Sequence, residues 1–154
     1  APRGHEKQGK DYFFVNPAQF QSMIDSNALA EWATVHGNFY GTAKATIEQA
    51  LSSDHSVLLN IDVQGAQGLC NAFPGKCLSV FIEPPGFDIL EQRLRGRGTD
   101  SEETVQKRIT GARKEIERAK DFHYRIVNHR IKDAYSELKV IIERETLLSP
   151  PLHQ

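Results

Sequence analysis

Apolar positions along the chain fall into short blocks whose spacing switches between the two-residue period of a strand and the roughly 3.6-residue period of a helix. Tyr12-Phe13-Phe14-Val15, aromatic and β-branched, predicts a short strand. Asn16-Pro17 then carries a helix start signal, a capping Asn followed by Pro at the first helical position. Phe20, Met23 and Ile24 form the stripe of that helix and Asn27 its stop. Leu29 to Val35 alternates loosely as a strand, and His36-Gly37-Asn38 reads as a turn. Phe39-Tyr40-Gly41-Thr42 follows, rich in aromatics and hydroxyls. Thr42 is placed to cap a helix running to about Ser52, with Ala45, Ile47, Ala50 and Leu51 near its buried side.

The pattern changes after residue 56. Val57-Leu58-Leu59-Asn60-Ile61-Asp62-Val63 is a nearly continuous apolar run of strand length, which predicts a strand buried on both faces in a parallel sheet. Ala66 to Phe73 predicts a short helix, Leu78 to Ile82 a second buried strand, and Phe87 to Arg95 another helix after the Pro84-Pro85-Gly86 break. Asp100 and Glu103 form a D-x-x-E capping pattern. The helix behind it repeats Val105, Ile109, Ala112, Ile116 and Ala119 along one face. Tyr124 to Val127 predicts a third strand, and Asp133 opens a last helix through Ala134, Leu138 and Ile141, ended by Ser149-Pro150-Pro151. Strands alternating with helices predict βα units on a parallel sheet, with a smaller mixed lobe in front.

Composition narrows the function classes. The 154 residues, 39% apolar and 25% charged, fit one ordinary globular domain without internal repeats. Nineteen basic against twenty acidic side chains give a net charge of −1, which argues against indiscriminate attraction to nucleic acid or anionic membrane. No apolar run is long enough to span a bilayer or to form a signal-peptide core. Cys70 and Cys77 make a poor disulfide framework and an incomplete zinc site, and a reducing, cytoplasmic setting is the simpler expectation.

Three groups of residues could carry chemistry. Gly4 to Asp11 matches G-x-x-x-x-G-K but puts Asp11 where a hydroxyl should reach magnesium, with no strand before it and no helix after it, and reads as a solvated turn. Arg93-Leu94-Arg95-Gly96-Arg97-Gly98 gathers three guanidiniums beside glycines that let a backbone approach a ligand. Such a cluster either meets phosphate or marks a basic helix end favoured by the helix dipole. Arg108 borders the apolar stripe, where it either points into a cleft or buries its stem. Asn60 and Asp62 share one strand face, at the rim of a ligand crevice or as satisfied structural groups. The histidines lack ligand spacing.

Together these segments resemble the guanylate kinases, which phosphorylate GMP with ATP. The likeness covers nearly the whole chain. Pro2-Arg3, Glu6, Gly9 and Asp11-Tyr12-Phe13-Phe14-Val15 are similar to the family's P-R-x-G-E-x-x-G-x-D-Y-x-F-V. Glu31-Trp32-Ala33 and Gly37-Asn38-Phe39-Tyr40-Gly41-Thr42 are similar to its E-W-A and G-N-Y-Y-G-[ST]. Asn60-Ile61-Asp62-Val63-Gln64-Gly65 resembles D-I-D-x-Q-G, Arg93 through Glu103 resembles the lid, and Ile126-Val127-Asn128 the late I-V-N. The resemblance implies that Arg3, Tyr12 and Tyr40 bind the GMP phosphate and that Glu31, Thr42 and Asp62 read the guanine. It implies that Arg93, Arg97 and Arg108 neutralise the phosphoryl group in transfer, that Arg97 also lies near the ATP base, and that Asn128 lines the adenine side. Magnesium would be held mainly through ATP, and the lid helix led by Asp100 would close over the substrates.

The fold implied is a P-loop kinase-like parallel sheet flanked by helices. Residues 1–55 would form a GMP-binding lobe, 56–148 the α/β core with a lid at about 96–112, and 149–154 a tail. Three departures from the family pattern stand out: Asn60 in place of an acidic residue, His129 in place of Asp, and no counterpart of the first, central strand and its phosphate-binding loop. The expectation is therefore a fragment that folds poorly alone, or self-associates through its open sheet edge, and does not turn over ATP. A rival reading is a non-catalytic guanylate-kinase-like domain that binds phosphorylated peptides.

Overall fold

The computed structural model describes residues 6–10, 12–35, 37–53, 55–96, 98 and 101–148. The chain divides into two compact units, residues 1–75 and 76–154. The first unit takes in the segment after residue 56, because the helix that follows packs on the unit's hairpin.

In the first unit, helix α1 (Pro17–Asp25) starts as expected: the Asn16 side chain accepts from the Gln19 amide, Gln19 reciprocates, and Pro17 needs no partner for a missing N–H. Asn27 ends it with φ of 54°. Strands β1 (Leu29–Val35) and β2 (Asn38–Ala43) form an antiparallel hairpin, turned at Gly37 with φ of 81°; His36, the first residue of the expected turn, lies outside the described residues. Helix α2 (Lys44–Ser52) follows, and helix α3 (Val63–Ala72) lies against β1. The buried apolar side chains are Phe20, Leu29, Ala33, Ile47 and Val63.

Four expectations are corrected between residues 12 and 77. Tyr12–Val15 is not a strand: Tyr12 makes a single bridge with Gln8, and the Phe14 amide is taken by the Gln8 side chain at 2.6 Å. Thr42 does not cap α2; it belongs to β2, and Ala43 stands at the cap without a side-chain bond. Residues 57–61 form no strand, and Leu58 is 79% exposed. A strand exists only within a hydrogen-bonded ladder, and no described segment pairs with this one. Cys70 and Cys77 are disulfide-bonded rather than free, one in the last turn of α3 and the other just past the turn at Gly75, where φ is 74°.

In the second unit, β3 (Val80–Glu83) pairs in parallel with β4 (Tyr124–Val127). The crossover between them holds α4 (Phe87–Gly96), α5 (Glu102–Glu117) and a 3-10 turn, Ala119–Asp121. Leu94, Val105 and Ile109 bury the contact between α4 and α5. Arg95 bridges Glu91 of α4 to Glu102 of α5, and the Arg113 guanidinium stacks 4.3 Å from the Phe87 ring centre. The capping Asp100 lies outside the described residues, and Ser101 is the observed cap, accepting from the Thr104 amide. Helix α6 (Ile131–Leu148) covers the strands with Ala134, Leu138 and Ile141 around Ile126, which is fully buried. The residues expected to stop α6, Ser149 to Pro151, are also outside the described set.

Candidate functional site

Glu31 is the buried carboxylate of the first unit. Its position in β1 points the side chain inward, between Leu29 and Ala33 on the same face, so the residue is only 8% exposed. Strand pairing sets Glu31 opposite Thr42, whose hydroxyl donates to Glu31 Oε1 at 2.6 Å. Beneath them α3 begins at Asp62, which caps the helix by accepting from the Gly65 amide at 2.8 Å. Burial pushes the Glu31 carboxyl above the usual carboxylate range; the Thr42 hydroxyl works against that shift, and the negative charge of Asp62 adds to it. Three residues expected to share a ligand, Glu31, Thr42 and Asp62, are thus brought together.

Gly65 is what the sequence reasoning left without a role. A Cβ there would stand 2.6 Å from Glu31 Oε2 and 3.1 Å from Asp62 Oδ1. Gly68, one helical turn on, would meet Glu31 Cβ at 3.3 Å. The two glycines let α3 slide under the carboxylate. The signal was present in Gln64-Gly65, a glycine in the first turn of a helix where alanine is ordinarily preferred.

Tyr12 and Tyr40 also converge, edge to face, with ring centres 6.0 Å apart. Arg3, the third member expected with them, lies outside the described residues. Asn60 is exposed in the segment before Asp62.

The basic residues belong to the second unit. Arg108 is half-buried on α5 next to Ile109. Arg93 projects from α4, and its Nη2 donates to the carbonyl oxygens of Asn128 and His129 at 2.9 and 3.0 Å. Arg97 lies outside the described residues. Arg93 and Asn128 line a cavity of about 250 Å³ at the C-terminal ends of β3 and β4, the side on which open α/β sheets take ligands. Sequence reasoning also missed the buried carboxylate beside it, Glu83, held by Arg125 at 2.7 and 3.0 Å. Among the described residues no group of three or more His, Cys, Asp or Glu side chains could hold a metal ion.

The chain is similar to known proteins in sequence and in fold. The sequence model described as Guanylate kinase matches residues 1–145. A guanylate kinase of Anaeromyxobacter dehalogenans is 42% identical over 148 residues, covering 96% of this chain and 66% of the relative. One from Geobacter sulfurreducens is 44% identical, covering 94% and 70%, and one from Salmonella typhi 46%, covering 96% and 70%. The chain therefore spans about two thirds of the length of these relatives. A crystal structure of guanylate kinase from Anaplasma phagocytophilum superposes with a TM-score of 0.80 at 32% identity, covering 94% of this chain and 70% of that one.

Proposed function

Because the chain belongs to the guanylate kinase family, we propose that its protein transfers the γ-phosphoryl group of ATP to GMP, giving ADP and GDP. The observation that carries the reading is the buried Glu31 carboxylate set against Thr42 and Asp62. A carboxylate has two acceptor oxygens, and guanine offers N1–H and N2–H side by side; adenine has no such donor pair. A buried carboxylate that adenine leaves short of donors is expensive, which is how such a site rejects AMP.

The remaining roles follow from the same reading. Arg3, Tyr12 and Tyr40 hold the GMP phosphate, and the edge-to-face packing of the two tyrosines supports treating them as one group. Arg93, Arg97 and Arg108 neutralise charge on the phosphoryl group as it passes between nucleotides. Arg97 and Asn128 serve the ATP base. Magnesium, carried on the ATP phosphates, would screen their charge. Among the described residues no helix is long and apolar enough to cross a membrane. A cytoplasmic setting belongs to the proposal.

A coupled assay of the whole gene product with ATP and either GMP or AMP tests the proposal. GMP should be phosphorylated at least about 1,000-fold more efficiently than AMP, the discrimination typical of a hydrogen-bonding site. Comparable rates for the two nucleotides would remove the role given to Glu31.

A further inference from the structure

Arg93 reaches 35 residues along the chain to the end of β4, and it grips backbone rather than a side chain. Its Nη2 holds the Asn128 and His129 carbonyls, while the Asn128 N–H donates to the Glu83 carbonyl at the end of β3, at 2.7 Å. Glu83 is itself anchored, its buried carboxylate accepting from Arg125. Both backbone polar groups of Asn128 are therefore held, one by each neighbouring element. Asn128 lines the cavity together with Arg93, Glu83, Ile82, Pro84, Leu90 and Leu94, and its carboxamide makes none of these backbone contacts.

We propose that Arg93 is a positioning residue for the ATP base, fixing the Asn128 backbone so that its carboxamide meets adenine in one orientation. The proposal rests on the reading of Asn128 as lining the adenine side. A carboxamide both donates and accepts, and adenine presents an N6 donor beside an N7 acceptor. Guanine presents two acceptors on that edge, so only a carboxamide held in register distinguishes the two bases. The Nη2 contacts give Arg93 a task separable from the charge it would bring to the phosphoryl group.

Steady-state kinetics of the whole gene product with ATP and GTP as donors test this. Arg93→Lys keeps the charge but is shorter and loses the planar Nη2 group that donates to both carbonyls. KM for ATP should rise about tenfold, the order of one to two lost hydrogen bonds, by more than kcat falls. The preference for ATP over GTP should shrink, and KM for GMP should hold. Glu83→Gln, which loosens the Arg125 anchor, should move the same quantities in the same direction by less, and serves if Arg93→Lys does not fold. A fall confined to kcat in either variant, with KM for ATP and donor preference unchanged, overturns the proposal and leaves Arg93 as charge alone. Asn128→Ala separates the two layers: if it leaves KM for ATP and donor preference untouched, the reading of Asn128 itself fails.

Discussion

A buried carboxylate with a raised pKa gives pH effects of opposite sign on stability and on binding. Between the usual carboxylate value and the higher folded value of Glu31, the folded chain holds its proton more tightly than the unfolded chain. Stability should therefore fall as pH rises through that window, and stay lower above it. If Glu31 reads guanine as proposed, GMP binding needs the ionised form, so affinity should rise with pH through the same window; parallel thermal melts and GMP titrations check both signs. Glu31→Gln removes the ionisation and presents an amide N–H₂ where guanine also donates. Its GMP affinity should fall by about 100-fold, while its melting temperature at neutral pH is no lower than that of the unmodified chain. Gly65→Ala acts on the same carboxylate from below: alanine suits a helix by about 1 kcal/mol over glycine, yet its Cβ would collide with Glu31 Oε2. Calorimetry should find GMP affinity reduced about tenfold or more with stability nearly kept.

Elements show which parts of the pattern could be read without coordinates and which could not. Asn16-Pro17, the alternation of 29–35 and the stripe Val105-Ile109 rest on neighbours a few residues away, and α1, β1 and α5 formed where those signals placed them. Residues 57–61 look like a strand for equally good local reasons, but a strand needs partners, and local apolarity carries no record of them. Phe14 fails for a related reason, since its amide found a glutamine side chain before it found a ladder. Glu31 and Thr42 were legible as a pair through the words they belong to, whereas Gly65, Glu83 and Arg125 acquire meaning only from contacts across the fold. Asp62 has two roles that one substitution separates. Asn caps a helix about as well as Asp, so Asp62→Asn should leave thermal stability within about 0.5 kcal/mol. It removes a negative charge near Glu31, so the pH midpoint of GMP binding should move down. Ile126→Val, at the fully buried centre of the second unit, should cost about 1 kcal/mol in a denaturant titration.

At the scale of the whole molecule, recognition of the acceptor base and handling of the donor are assigned to different units of the chain. Glu31, Thr42 and Asp62 lie in the first, Arg93, Arg108 and Asn128 in the second, and each set is organised by its own sheet. The order of these words along the sequence was enough to assign the family. What order could not supply was the grip within a cluster: the glycine floor under Glu31 and the double hold on the Asn128 backbone. The central claim is that guanine is read by the Glu31 carboxylate, and isothermal titration of GMP and AMP into the chain and its Glu31→Gln variant tests it most directly. The account predicts saturable GMP binding that the substitution weakens by about 100-fold and AMP binding too weak to saturate in either protein. Equal affinity of the two proteins for GMP would contradict it.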